Sequence, residues 1–208
     1  TPNPRRIQVH ADLTSQNDKQ QKCALQVIVR KGDNVLYDHV YKNIKYQGGT
    51  TQIMEEVECP EAELWDLDHP NLYTCETRLL KGSKVIDSSS CQFGFRWFSP
   101  DGIGSNALLR LNGKRIVLRS AISWGYFPLV GTIATPDMAV RQVKTAKQLG
   151  LNMLNFHRQI GQPSVLNAAD SLGLLYFEEP GGFQPCTTPF AIALMNEKVR
   201  RMIKRSEE

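Results

Sequence analysis

From Leu111 to Glu179 the chain uses one pattern three times, a short apolar strand followed by a polar loop or helix. Ile116 to Ser120 is the first run, set behind the turn Leu111-Asn112-Gly113-Lys114. Leu151 to Phe156 and Leu174 to Phe177 follow, each introduced by a helix end marked with glycine, Gly150 and Gly173. Polar groups sit past each run: Ser120 to Trp124, then His157-Arg158, then Glu178-Glu179. Strands joined by helices through short connections pair in parallel by crossovers. The pattern therefore reads as the front of a (β/α) barrel, with chemistry at the strand C-termini. Such a barrel closes with eight units, so three are expected to form only its opening part.

The helices between the strands carry their own punctuation. Thr135 is an N-cap candidate, with Pro136 at the first helical position. Met138, Val143, Ala146 and Leu149 then give an apolar stripe, closed by Gly150 in a left-handed cap. Pro163 opens a second helix in which Val165, Leu166, Ala169 and Leu172 face inward before Gly173. A third helix is expected over roughly Phe190 to Lys204, carrying Ile192, Met195, Val199, Met202 and Ile203.

Before Phe98 the period is two instead of 3.6. Ile7 to Leu13 and Cys23 to Arg30 alternate apolar and polar, and Asp33-Asn34 turns the chain into Val35 to Tyr41. Thr50 to Val57 is another strand candidate. Leu72 to Leu80 and Val85 to Phe95 flank the turn Lys81-Gly82-Ser83 and make the clearest hairpin. About seven short strands with regular turns in roughly 100 residues read as an immunoglobulin-like antiparallel β-sandwich. Two domains are expected: residues 1–98 as the sandwich, and residues 99–208 as the N-terminal part of the barrel, its first three βα units.

Composition excludes several classes. The 208 residues are 41% hydrophobic and 22% charged, ordinary values for a globular chain. No apolar run is long enough to cross a bilayer, so no membrane partner is expected. No signal peptide precedes Thr1-Pro2-Asn3-Pro4-Arg5, although a leader can be removed. The compartment is left open, with a periplasmic or secreted one favoured over the cytoplasm. Net charge is +4, concentrated at Lys198, Arg200, Arg201, Lys204 and Arg205 in the last helix. Without aromatic interleaving these cations read as a solvated face near a helix C-terminus, and no nucleic-acid partner is expected. The five cysteines, Cys23, Cys59, Cys75, Cys91 and Cys186, form no metal-binding cluster, and no metal or cofactor is expected. A bridge can be drawn between Cys75 and Cys91 on neighbouring strands; free thiols are the reading adopted.

Several segments in order resemble family 2 of the glycoside hydrolases, the β-galactosidase, β-mannosidase and β-glucuronidase group. Leu64-Trp65-Asp66 through His69-Pro70-Asn71-Leu72-Tyr73-Thr74 resembles that family's late sandwich run, and Phe93-Gly94-Phe95-Arg96 its junction. Leu111-Asn112-Gly113-Lys114 through Leu118-Arg119 is similar to its entry into the barrel. Thr135-Pro136-Asp137-Met138 through Leu149-Gly150-Leu151-Asn152 is similar to its first helix and second strand. Asp170 through Gly173-Leu174 to Glu178-Glu179 is similar to its third strand. The resemblance covers the chain from about Glu63 onward, and the earlier strands more loosely. Trp65 and Tyr73 are read as core aromatics, an exposed sugar-stacking Trp65 being the alternative. Gly94 is read as a bulge or close backbone approach, and Arg96 as a partner for a carboxylate across the domain boundary.

The resemblance implies retaining hydrolysis of a glycosidic bond by two glutamates, with carboxyl groups about 5–5.5 Å apart. It also implies that both lie at the ends of the fourth and seventh barrel strands, beyond Glu208. No residue of this chain is therefore assigned as catalytic, and the chain itself is expected to be inactive. Asn196-Glu197 imitates the family's acid/base dipeptide but falls inside a helix, where Glu197 is placed to pair with Arg201 at i+4. Trp124, Asn155, His157, Arg158, Glu178 and Glu179 remain as candidates for contacting a carbohydrate substrate, the alternative being that Trp124 packs under its loop and that Asn155, His157 and Arg158 hold loops together. One of Glu178 and Glu179 is expected to face the barrel mouth and the other to tie down a loop. Two departures stand out. Ala121-Ile122-Ser123-Trp124-Gly125 replaces the family's Asn-Arg-His-Glu-like run, and Asn155 and Arg158 occupy its arginine and histidine positions. An ordinary β-galactosidase subsite is not expected, and which sugar is accepted is not legible. The alternatives are a non-catalytic carbohydrate-binding or adhesion module, and a small complete α/β protein. Self-association is expected only through an exposed partial barrel.

Overall fold

The computed structural model describes residues 3, 5–104, 107–181 and 187–206, so Cys186 lies outside the described residues. By the density of its internal packing the chain divides into two units. Thr1–Trp65 with Asn71–Trp97 form one, and Asp66–Pro70 with Phe98–Glu208 the other.

The first unit contains two antiparallel sheets. β1 (Arg6–Ser15) pairs with β4 (Gly49–Glu58), from Arg6 opposite Glu58 to Ser15 opposite Gly49. β2 (Gln21–Lys31), β3 (Asn34–Tyr46), β5 (Tyr73–Lys81) and β6 (Lys84–Phe93) form a four-stranded sheet in the order β3-β2-β5-β6. The period-two pattern does what a pleated strand requires. Cys23, Leu25, Val27 and Val29 are all buried along β2, while Val9, Ile53 and Val57 close the core from the other sheet. Six strands serve these sheets among the described residues, against the seven or so read from the sequence.

Trp65 is fully buried. Its backbone N–H donates to Phe95 O at 2.9 Å, and the Arg96 guanidinium lies 4.3 Å from its ring centroid. Gly94 is the close approach expected of it: an added Cβ would meet the Trp65 Cβ at 2.8 Å. Tyr73 is buried beside Phe95 in an edge contact, and its hydroxyl accepts the Glu63 N–H at 2.7 Å. Both aromatics are core, as the sequence favoured.

The second unit begins with a sheet that sequence periodicity missed. β7 (Phe98–Asp101), β8 (Leu108–Leu111) and β9 (Lys114–Ile116) form an antiparallel meander. Asn112 and Gly113 both have positive φ, 52° and 79°, as a tight two-residue hairpin turn requires. Next come β10 (Ser120–Ser123), β11 (Met153–Phe156) and β12 (Leu175–Glu178), paired in parallel with Ser123, Phe156 and Glu178 level.

The first parallel strand is therefore not Ile116 to Ser120 but Ser120–Ser123. The cause is Asn152, which is buried. Its amide donates to Val117 O at 2.9 Å and its Oδ1 accepts the Arg119 N–H at 2.7 Å. Those side-chain bonds occupy the backbone that a strand would use, and pairing starts only at Ser120.

α1 (Pro136–Gln148) and α2 (Pro163–Leu172) cover one face of the parallel sheet. Thr135 caps α1 by accepting the Met138 N–H, and Gly150 (φ 76°) follows its C-terminus. Ala139, Val143 and Ala146 are its buried residues; Leu149 is 72% exposed and leaves the expected stripe, because it sits at the cap. Val165, Ala168 and Ala169 are buried on α2. Gly173 ends α2 at φ 77°, with Leu67 O 2.3 Å from where a Cβ would stand. Lys147 Nζ donates to Leu67 O, Leu172 O and Gly173 O, fastening Asp66–Pro70 to this unit. α3 (Pro189–Ser206) carries the terminal charges. Along α3, Ile192 and Ile203 are exposed and Met195, Val199 and Met202 half-buried.

Candidate functional site

The three parallel strands bring their C-terminal ends level, so residues that follow them meet. Ser123, at the end of β10, is buried; its Oγ accepts from Gln142 Nε2 at 2.8 Å and from the Gly125 N–H at 3.3 Å. The chain then turns outward, leaving Trp124 58% exposed. After β11 the His157 N–H donates to Ser123 O at 3.1 Å, which continues the ladder by one residue and fixes the imidazole beside the indole. The two rings meet edge to face, 4.8 Å between centroids and 85° between planes.

Glu179 is the hub of the cluster. Its Oε1 accepts from Asn155 Nδ2 at 3.1 Å and lies 3.5 Å from His157 Nδ1, while Oε2 accepts the Arg158 N–H at 3.0 Å. The Asn155 amide first, then the Arg158 N–H and the His157 ring, hold its carboxyl below the usual carboxylate range. Arg158 contributes through its backbone, in the left-handed region at φ 58°, an uncommon conformation for a residue with a Cβ. Glu178 points to the helix-covered face and accepts the Gly161 N–H. Gly161 is required there, because an added Cβ would fall 2.4 Å from Glu178 Oε1 and 2.5 Å from the Phe156 ring.

The structure thus joins Trp124, His157, Glu179 and Asn155 in one chain of contacts and draws in the Arg158 backbone. Glu178 is tied separately to the loop after β11. Both glutamates secure that loop, where the sequence reading expected one to do so. On the face away from the helices, Ile122, Asn155 and Phe177 are level, and Ile122 and Phe177 are more than half exposed. Asn155 Oδ1 is buried and takes no hydrogen bond from the described residues. Such an acceptor costs about 1–3 kcal/mol.

Sequence reading missed the glutamines that brace the site. Gln162 Oε1 accepts the Ala134 N–H at 2.7 Å and its Nε2 donates to Gly125 O at 3.4 Å, gripping both ends of the loop after β10. Gln142 links Ser123 to the Tyr176 hydroxyl. Burial pushes that phenol upward, and its ring stacks on Phe156 at 4.5 Å. No motif marks a glutamine for such a role; only its partners do. Glu197, rejected as an acid/base group, lies within α3 and accepts from Arg200 Nε at 2.8 Å and Arg201 Nε at 2.7 Å. The two guanidiniums hold its carboxyl down to about 2.

Polar groups gathered at the C-terminal ends of parallel strands are a common setting for ligand sites in α/β folds. Comparison with known proteins gives the family. Residues 1–96 match the model described as Glycosyl hydrolases family 2. The chain is 31% identical over 148 residues to a beta-galactosidase of Thermoanaerobacterium thermosulfurigenes, covering 70% of this chain and 20% of that one. It superposes on beta-glucuronidase 2 of Bacteroides uniformis, covalently bound to cyclophellitol-6-carboxylate aziridine, with a TM-score of 0.79. That match has 26% identity and covers 95% of this chain and 24% of the other. A family 2 member from Bacteroides cellulosilyticus shares the fold, with a TM-score of 0.81 over 96% of this chain and 27% of that one, at 24% identity. The chain belongs to family 2 of the glycosyl hydrolases. It spans 12–24% of the length of the curated relatives it matches.

Proposed function

We propose that this chain is part of a retaining glycosidase and forms one wall of its sugar-binding site. In this reading residues 1–98 are an immunoglobulin-like sandwich and residues 99–208 open a (β/α) barrel through β10, β11 and β12. Trp124, Asn155, His157, Arg158, Glu178 and Glu179 serve binding, either by touching the sugar or by holding the groups that do. The observation that carries this is the exposed Trp124 ring, fixed edge-on by His157, which Glu179 holds in turn. An indole braced at a strand end offers an apolar face to the C–H side of a pyranose. The unpartnered Asn155 Oδ1 adds an acceptor for a donor that the described residues do not supply.

The 208-residue chain is inactive in this reading. Retaining hydrolysis needs a proton donor and a nucleophile with carboxyl groups about 5–5.5 Å apart, both free to reach the glycosidic bond. Glu178 and Glu179 are each committed to backbone N–H groups of one loop, and Glu197 to two arginines. The cyclophellitol-6-carboxylate aziridine bound covalently by the Bacteroides uniformis relative accords with this reading, in which a covalent intermediate forms. Incubating the purified chain with aryl β-glucuronides and β-galactosides tests the proposal: no phenol release is expected, and turnover abolished by Glu179→Gln would overturn it. In the full-length protein, Trp124→Ala is expected to raise KM more than it lowers kcat.

A further inference from the structure

None of the four described cysteines is in a disulfide, and they differ sharply in access. Cys23 and Cys59 are buried in the first unit, at 6% and 1% exposure. Cys75, on β5, is buried as well, but the residue directly opposite it on β6 is Cys91, which is exposed. Directly opposed residues of an antiparallel pair point to the same face, with Cα atoms about 4.5–5.5 Å apart. A disulfide spans Cα separations of about 4.4–6.8 Å, so this register is compatible with a bridge between the two. β6 is the edge of its sheet, exposed along nearly its whole length, which opens Cys91 to a reagent from solvent.

We propose that Cys75 and Cys91 form a modification site, a cross-strand thiol pair that a low-molecular-weight disulfide converts into an intrachain bridge. The Cys91 thiolate attacks one sulfur of the reagent, forming a mixed disulfide and releasing the other half as a thiol. The Cys75 thiolate then attacks the Cys91 sulfur, forming the Cys75–Cys91 bond and releasing the second half. Two protein thiols are oxidised, one reagent disulfide is reduced to two thiols, and the two thiol protons pass to the leaving sulfurs. Contact with Cys91 and then burial push the Cys75 thiol upward in the reduced pair, and Cys91, the exposed thiol, is the first to react.

The test is to treat the folded chain with oxidised glutathione, count its thiols, and map peptides without reduction. The expected result is loss of two thiols, one Cys75–Cys91 cross-linked peptide, and recovery of both thiols with dithiothreitol. Cys91→Ser, at an exposed edge position, should fold normally and lose the cross-link. A product that stops at glutathionylated Cys91, a link from Cys75 to Cys59 or Cys186, or five unchanged thiols would each overturn the proposal.

Discussion

Trp65 and Trp124 carry the same side chain into opposite surroundings. Trp65 is sealed: fully buried, crossed by the Arg96 guanidinium, and packed so closely on Gly94 that no Cβ fits. Trp124 meets the His157 ring edge to face, and more than half of it meets solvent. An indole buried on all sides contributes dispersion and apolar burial to stability. One that meets a single ring and is left more than half open contributes little to stability and presents a surface. The first region is built to stay folded; in the reading proposed above the second receives a ligand.

The largest expected effect follows from the sealed ring. Trp65→Ala should destabilise the first unit by about 3–5 kcal/mol, read from denaturant unfolding. A loss below about 1 kcal/mol would mean that the ring is not the core element described. Gly94→Ala pushes a methyl into an indole that has nowhere to go and should cost about 1–3 kcal/mol by the same measurement. Trp124→Ala sharpens the contrast from the other side, with a stability change within about 0.5 kcal/mol.

Much of this contrast was legible beforehand, and the reasons differ by element. Alternation gave β2, because a strand with one buried face writes its burial along alternate residues, and the turn Lys81-Gly82-Ser83 gave the β5–β6 hairpin. Thr135-Pro136 and Gly173 gave the helix ends, because capping is local chemistry. The start of β10 was misread because it is decided by Asn152, which lies more than thirty residues away and acts through its side chain. The small sheet of β7, β8 and β9 was missed because strands of three or four residues are too short to show a period. At the site, the residue types past each strand were legible, but the role of Glu179 as hub was not. Nothing in Glu178-Glu179 distinguishes the carboxylate that gathers Asn155, His157 and Arg158 from the one that ties Gly161.

A smaller effect tests that hub through pH. The folded-state value of Glu179 is depressed, so its contribution is complete above its ordinary value of 4.5 and is lost as pH falls through the lower folded value. Glu179→Gln should therefore be less stable than the parent chain above about pH 4.5, with the two curves converging in acid. Acid unfolding followed by tryptophan fluorescence would show this, and parallel curves at all pH values would remove Glu179 from the centre of the cluster.

The central claim, that the open indole is a sugar platform, is tested most directly by titrating the 208-residue chain with oligosaccharides in a calorimeter, beside Trp124→Ala and a shortened chain ending at Phe98. The account predicts heat of binding for the parent chain and none for either of the other two. Binding retained by the chain ending at Phe98, or unchanged by Trp124→Ala, would contradict it.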